Sequence, residues 1–263
     1  MRNVCSTRVL RILSLLASPC GLSVSGRALL NRATELPVYV TKDADRAELL
    51  SLAAAAETEA RDSGASPEWP RDSELLCQEW RLIATTRTAG SDALQQMAKQ
   101  PALGTFRVAQ NWKERHGTLR CDNVVSIGRP NDGLLSAWTL LPAGGQSSLK
   151  LLHKARVVSE GQPLRITIEL DAVVLDGNRK AGEPVEPILQ LPLPPRLAPG
   201  LPPPPALPVP GLAAAVEEAG TFEVTLLDEQ LRVVRGRTPG GAGGGEVLRV
   251  FARDTTGGEL PTW

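Results

Sequence analysis

Aromatic residues, histidine and an excess of charge of either sign are all scarce in this chain of 263 residues. Twenty-nine basic residues balance twenty-nine acidic ones, so the chain as a whole lacks the positive field that attracts nucleic acid or anionic membrane surfaces. We therefore expect no nucleic-acid partner. Aromatic residues make up only 3% of the chain, whereas glycine (24) and proline (22) are plentiful, a composition that favours turn-rich β structure over a helical bundle.

Residues that could hold a metal are also few. The sequence contains two histidines, His116 and His153, and neither a Cys-x-x-Cys nor a His-Glu-x-x-His motif, so we expect no metal and no other cofactor. Outside the first thirty-four residues the only cysteines are Cys77 and Cys121. They fall on opposite faces of their predicted strands, which disfavours a disulfide between them.

The start of the chain has a composition of its own. Residues 1–34 contain arginines and several serines but no Asp or Glu, which is typical of organelle transit peptides. We expect a targeting leader here, removed so that the mature chain begins between about Gly26 and Asp43. The apolar run Ile12–Ala17 is too short to span a bilayer, and no longer run follows. Because Ser23–Ser25 would also serve as a small-x-small cleavage site, a secretory signal, alone or ahead of a transit segment, stays open.

One amphipathic helix is predicted after the leader. Asp45 suits the N-cap, with Glu48 as its capping-box partner, and Gly64 suits the end. Between them the apolar residues repeat at helical spacing: Leu49, Leu52, Ala53, Ala56 and Ala60. A stripe this rich in alanine can lie close to a sheet, and the polar face lacks the basic residues of a membrane-surface helix. We expect the helix to pack on a sheet.

From Leu76 onward the apolar spacing changes from helical to alternating, which predicts successive strands with one apolar face each. The first strand covers Leu76–Thr86, and a turn is expected at His116-Gly117. A short helix over Ser91–Lys99 and a strand that opens at Trp138 are also predicted. The apolar faces hold Trp80, Leu82, Ala84, Phe106, Val108, Trp112, Leu119, Cys121, Val125, Ile127, Leu149, Leu151, Ala155, Val157, Leu164, Ile166, Ile168, Leu170, Phe222, Val224 and Leu226.

Two segments are interpreted as loops. Residues 183–210 are so dense in proline that they cannot supply the amide donors of a central strand, which indicates an inserted loop of polyproline II character. Docking of a protein partner on this loop stays open. The glycine-rich run after Pro239 is followed neither by Gly-Lys-Ser/Thr nor by a helical pattern. It predicts a hairpin turn before a last strand, Val247–Phe251, rather than a phosphate-binding loop.

Two stretches of the sequence resemble a known family. Leu76–Thr86 contains Trp-Arg-Leu after a short helix rich in Leu and Ala, and Leu226–Gly236 reads Leu-Leu-Asp-Glu-Gln-Leu-Arg-Val-Val-Arg-Gly. Together with Asn123-Val124-Val125 between them, they resemble the opening, closing and middle strands of the plastid lipid-associated protein family, the plastid fibrillins. The positions that match its motifs are Trp80, Arg81, Leu82, Asp228, Leu231, Arg232, Arg235 and Gly236.

The resemblance implies a mainly β fold, a lipocalin-like antiparallel β-barrel over residues 43–254 with a short N-terminal helix packed on it. It also implies a non-catalytic protein that binds an apolar lipid or isoprenoid, such as a carotenoid, quinone or acyl lipid. The location would be the plastid (chloroplast), at thylakoids or plastoglobules, or a complex plastid reached by the secretory route. The expected ligand-binding positions are Trp80, Phe106, Val108, Trp112, Leu164, Ile166, Ile168, Phe222 and Val224.

The closing stretch contains two arginines that point to opposite faces of their strand. Arg232 and Arg235 are three residues apart, so one of them faces inward or lies at the rim. A cation against an apolar lumen is costly unless it is paired, which leaves a salt bridge at the mouth or a contact with a polar ligand head. In the same stretch we expect Asp228 to bond the backbone of its turn and Gly236 to adopt a positive φ.

No arrangement of nucleophile, base and acid points to an enzyme. The Gly-x-Ser-x-Gly elbow is absent, and His153 shares the apolar face of Leu149 and Leu151, so we interpret it as a buried, hydrogen-bonded residue. We therefore expect no catalytic residues. A scaffold that supports an enzyme of lipid or quinone synthesis is the second candidate, and a small-barrel enzyme that modifies a lipid is the third.

Overall fold

The computed structural model describes residues 22–86, 106–128, 146–160, 163–176, 187–192, 220–237 and 246–253, and the statements below concern these residues. The helices are α1 (Val24–Glu35), α2 (Asp43–Asp62) and α3 (Ser73–Leu76). The strands are β1 (Glu79–Thr85), β2 (Phe106–Arg115), β3 (Thr118–Gly128), β4 (Gln146–Ser159), β5 (Leu164–Asp176), β6 (Pro187–Pro192), β7 (Thr221–Leu227), β8 (Leu231–Arg237) and β9 (Glu246–Arg253).

All nine strands belong to one antiparallel sheet. Its order is β4-β3-β2-β1-β9-β8-β7-β5-β6, and β4 pairs in addition with β5. Every strand except β6 therefore takes part in a sheet of eight strands that rings round on itself. Because β7 pairs with residues 164–167 of β5, β6 can lie beside the other half, residues 172–176. The predicted mainly β, antiparallel fold with helices at the N-terminus is confirmed.

Two hairpins form as the sequence predicts. His116 (φ 52°) and Gly117 (φ 72°) connect β2 to β3, and positive φ at both positions is what a two-residue turn of type I′ requires. In the turn from β7 to β8, an Asp228 carboxylate oxygen accepts bonds from the backbone N–H of Gln230 (2.7 Å) and Leu231 (2.8 Å). The expected role of Asp228 is confirmed.

Replacing Asp228 with alanine is expected to lower the free energy of unfolding by about 1 to 2 kcal/mol, because two backbone donors lose their acceptor. The neighbouring Glu229 is exposed and makes no such bond, so Glu229→Ala is the matched control and should change stability by less than about 0.5 kcal/mol. Urea unfolding of the three proteins measures the difference. Equal losses for both variants would contradict the proposed role of the carboxylate.

The buried side chains form two clusters, one on each face of the ring. The inner cluster contains Leu76, Trp80, Leu82, Trp112, Leu119, Cys121, Leu164, Ile166, Ile168, Phe222, Val224, Leu227, Val234 and Phe251. The outer cluster lies where α1 and α2 cover the sheet and contains Leu29, Ala33, Val40, Leu49, Ala53, Ala56, Ala60, Ile83, Ala84, Leu226, Leu231, Val233, Leu248 and Val250. Strands β1, β7, β8 and β9 are thus buried on both faces.

Two register shifts reverse the predicted facing of particular residues. The ladders shift between Leu82 and Ala84 in β1 and between Val224 and Leu226 in β7. An extra residue at such a bulge turns the following side chains to the opposite face. Ala84 and Leu226 therefore belong to the outer cluster, and the prediction that they share the face of Trp80 and of Val224 was wrong.

The predicted amphipathic helix is α2. It begins at Asp43, two residues before the expected cap, with Lys42 as the N-cap residue, and it ends at Asp62, just before Gly64 (φ 74°). Leu49, Ala53, Ala56 and Ala60 are buried as predicted. The carboxylate of Glu57 accepts bonds from Arg235 on β8 and from Thr225 on β7, which fixes the helix against the sheet.

The second part of the predicted leader forms helix α1. The Ser23 hydroxyl caps it by accepting a bond from the Gly26 N–H (3.0 Å), and Leu29 and Ala33 are fully buried in the outer cluster. Arg32 joins it to α2 through ion pairs to two carboxylates. Cleavage of the leader stays a prediction, but cleavage after Glu35 would remove this layer of the fold.

One part of the proline-rich segment is a strand. β6 runs at the edge of the sheet beside β5, with Pro187 and Pro192 at its two ends, so the residues between them keep their backbone donors. The rest of the predicted loop 183–210 lies outside the described residues. So do the predicted helix Ser91–Lys99, the predicted strand at Trp138, and the glycine-rich turn. Among the helices described, none has the length and hydropathy to cross a bilayer.

Candidate functional site

The inner wall of the ring brings together most of the positions predicted to bind a ligand. The inner cluster and the residues packed against it include Trp80, Val108, Trp112, Leu164, Ile166, Ile168, Phe222 and Val224. Phe106 pairs with Ile127 in the ladder of β2 and β3, and its side chain is outside the described part. The alternation of each strand positions this wall, and a binding role for it stays a prediction.

A cavity of about 50 Å³ lies inside the ring. Val108, Ile168 and Phe222, three of the predicted positions, line it. The cavity also has polar wall residues: Tyr39, Thr85, Gln110, Asn123 and Arg249. A volume of this size holds on the order of a few water molecules and is smaller than the roughly 150 Å³ that admits a benzene ring. The cavity as it stands accommodates a small group and not a whole lipid.

Arg232 is fully buried in the inner wall without a counterion. Its guanidinium carbon lies 4.2 Å from the ring centroid of Phe251, 5.4 Å from that of Trp80 and 5.6 Å from that of Trp112. Its Nη2 donates to Gln110 Oε1, whereas Nε and Nη1 have no hydrogen-bond partner. No carboxylate of the described residues pairs with it. Of the two arrangements expected for the inward arginine, the salt bridge is not the one formed.

The Arg232 side chain remains a cation at neutral pH. Burial lowers its pKa to about 9, still well above 7, because the loss of hydration disfavours the charged form. Three aromatic faces offset part of that loss through cation–π attraction. Burial also raises the pKa of the nearby Cys121 thiol, so the thiol is neutral and cannot serve as the counterion. A buried cation without an anion costs several kcal/mol of stability.

A short chain of polar side chains connects Arg232 to the cavity. Gln110 on β2 accepts from Arg232 and donates from Nε2 to Asn123 Oδ1 on β3 at 2.8 Å. The two amides lie directly opposite each other in the ladder. Sequence reasoning missed both, although Gln110 shares the parity of Val108 and Asn123 that of Cys121. Parity alone would have placed them on the inner wall.

Arg249 on β9 is a second inward cation. It lines the cavity and shares the parity of Phe251, and its side chain forms no hydrogen bond or ion pair with any residue that the structure describes. Its Nη1 reaches across Gly236, where a Cβ would lie only 3.2 Å from it. The prediction of a positive φ at Gly236 was wrong. The glycine lies inside β8, and its missing side chain leaves room for Arg249.

The other arginine of the closing stretch lies on the outer face, as its parity requires. Arg235 pairs with Glu57 of α2 at 2.8 Å and with Glu246 of β9 at 2.5 Å. The remaining motif position with a charge, Arg81, lies in β1 opposite Ala109 of β2. The structure thus separates the two arginines into one that ties the helix layer to the sheet and one that is buried inside the ring.

His153 lies on the inner wall and is 1% exposed. Its Nδ1 is 3.1 Å from the carbonyl oxygen of Cys121, which confirms the expected buried, hydrogen-bonded histidine. Cys77 and Cys121 are both free thiols. Within the described ranges, no group of three or more His, Cys, Asp or Glu side chains is placed to hold a metal ion.

No protein-family model, curated protein or solved structure matches the chain. The resemblance to the plastid lipid-associated proteins therefore stays an expectation from the sequence motifs given above.

Proposed function

We propose that this chain is a non-catalytic binding protein for an apolar lipid or isoprenoid, built as a lipocalin-like β-barrel. The observation that supports this most is the cavity inside the ring, because a closed sheet of about eight strands either fills its interior or holds one small ligand. The apolar wall suits the hydrocarbon part of such a ligand. The resemblance to the plastid family adds the ligand class and a location at thylakoids or plastoglobules in a plastid.

The size of the cavity limits how the ligand can bind. About 50 Å³ takes one end of a lipid, so the remainder must displace side chains of the inner wall or extend out of the ring. Displacement costs packing energy, which the buried hydrocarbon of the ligand offsets at roughly 25 cal/mol per Å². A substitution that enlarges the cavity removes part of this cost in advance. Such a variant should bind an apolar ligand more tightly than the wild type.

Ile168→Ala tests this expectation with retinol, a neutral isoprenoid alcohol, as the probe. Ile168 lines the cavity, whereas Ile166 belongs to the same cluster and does not line it, so Ile166→Ala is the matched control. Each substitution should lower the free energy of unfolding by about 2 to 5 kcal/mol. Only Ile168→Ala should increase the stabilisation that a fixed retinol concentration produces, measured by thermal unfolding with and without the probe.

Further measurements distinguish the binding protein from an enzyme and from a scaffold. Absence of any shift by retinol or by a quinone in wild type and variants would contradict the binding function. Mass spectrometry of lipids that copurify with the chain from its native source gives the ligand directly. Turnover of a bound lipid would favour the enzyme, and a stable complex with a partner enzyme and an empty interior would favour the scaffold.

A further inference from the structure

Among the residues that the structure describes, those in the interior of the ring carry positive charge without a compensating negative charge. Arg249 lines the cavity, and Arg232 lies behind two other lining residues, Gln110 and Phe251, which hold its guanidinium. No Asp or Glu is among the described residues that line the cavity. One guanidinium group therefore lines this small space and a second lies directly behind its wall, and neither has a carboxylate partner within the described part of the chain.

We propose that this cavity binds the carboxylate head group of a single-chain amphiphile, with Arg249 as the direct contact and Arg232 as the second cation. The proposal rests on the proposed lipid-binding function and narrows its ligand class. The Nε and Nη1 of Arg232 are buried donors without a partner, which costs free energy. The guanidinium lies directly behind two residues that line the cavity, so a carboxylate there would bring a negative charge close to this cation. Head-first binding also accounts for the small cavity, which fits a carboxylate better than a hydrocarbon tail.

A carboxylate matches this site in charge and in geometry. The planar group has two oxygens that accept from guanidinium N–H groups, and such charge-assisted bonds are about twice as strong as neutral ones. The amides of Gln110 and Asn123 lie on the same wall and can donate or accept, so the site tolerates a polar group in an otherwise apolar interior. The part of the inner cluster that does not line the cavity, which includes Leu164 and Ile166, is left for the hydrocarbon chain.

The test uses the whole chain and two fluorescent probes, cis-parinarate and its methyl ester, which share the hydrocarbon chain and differ in the head group, a carboxylate in one and a neutral ester in the other. Wild type should bind cis-parinarate about 10- to 100-fold more tightly than the ester, as expected when one charged hydrogen-bonded contact is gained. Arg249→Gln should reduce this preference to about threefold or less. Arg249→Lys keeps the positive charge and should retain a clear part of the preference for the acid over the ester. Arg165→Gln, at an exposed arginine paired with Glu223, is the control and should leave it unchanged.

The outcomes separate this inference from the function on which it rests. Equal affinity for acid and ester in the wild type, or an unchanged preference in Arg249→Gln, overturns the head-group site while lipid binding stands. If neither probe binds, both proposals are wrong. A small anion without a hydrocarbon chain could also pair with the two arginines. If acetate or phosphate alone stabilises the protein as strongly as cis-parinarate at equal concentration, an amphiphile is excluded as the ligand of this site. A preference for cis-parinarate that disappears only in Arg249→Gln supports the proposal.

Discussion

A chain shortened to begin at Pro37 is expected to lose at least about 4 kcal/mol of unfolding free energy relative to a chain that begins at Leu22. The deletion removes α1, in which Leu29 and Ala33 are fully buried. Truncation of a single buried leucine to alanine already costs about 2 to 5 kcal/mol. The loss of the whole helix exposes its partners in the outer cluster as well, among them Leu231, which lies beside Gly26.

Guanidinium unfolding followed by circular dichroism measures this loss. The chain that begins at Leu22 is the reference, so that deletion of residues 1–21 is common to both proteins and the difference reports on residues 22–36 alone. Since a domain of this kind is stabilised by about 5 to 15 kcal/mol, a loss of about 4 kcal/mol removes at least about a quarter of its stability. A difference of less than about 1 kcal/mol in unfolding free energy between the chains that begin at Leu22 and at Pro37 would show that α1 adds little to the stability of the fold.

The result bears on where the leader is cleaved. Sequencing the N-terminus of the protein from its native compartment tests the predicted start between Gly26 and Asp43. A start after Glu35 together with a large stability loss on deletion would mean that the mature protein works as a weakened fold. A start at or before Leu22 would instead keep α1, including the cap that Ser23 provides.

The sequence predicts the strands and the long helix well because their apolar residues follow a period that burial imposes. Alternation from Leu164 to Leu170 and helical spacing from Leu49 to Ala60 each place one face against a core, and the structure buries those faces. The two bulges could not be predicted in this way. An inserted residue changes the facing of Ala84 and Leu226, both apolar, without disturbing the local composition, since both faces of these strands are buried.

The helix α1 was missed for a different reason. Its composition, rich in Arg and Ser and without acids, favours a leader, yet Gly26, Leu29 and Ala33 follow the helical spacing of a buried face. Composition therefore indicates a leader, whereas periodicity indicates a packed helix. Only the contacts with α2 and the sheet show that the helix is packed. The interior site was only partly predictable. The spacing shows that one of Arg232 and Arg235 faces inward, but it cannot tell which one, nor that no carboxylate of the described residues accompanies it.

Trp80→Ala is expected to lower the free energy of unfolding by about 3 to 5 kcal/mol. The indole is completely buried on β1, its Nε1 donates to the carbonyl oxygen of Leu76 at 3.1 Å, and Arg232 lies over its ring. Alanine leaves a cavity and a more poorly stabilised cation, and the Leu76 carbonyl keeps only the bond from the Gln78 N–H. Trp80→Phe keeps an aromatic face under the guanidinium but loses the N–H, so its cost should be smaller. Urea unfolding of the three proteins measures both values.

A double-mutant cycle with Arg232→Met isolates the contribution of the cation. If Arg232 is retained for an anionic ligand, its buried charge destabilises the empty protein, so Arg232→Met alone should leave stability unchanged or increase it. In the Trp80→Ala background the gain should be larger by about 1 to 2 kcal/mol, because the cation there has lost one of its three aromatic faces. A loss of more than about 3 kcal/mol on Arg232→Met alone would show that the arginine holds the inner wall together, and the case for a ligand counterion would then depend on Arg249.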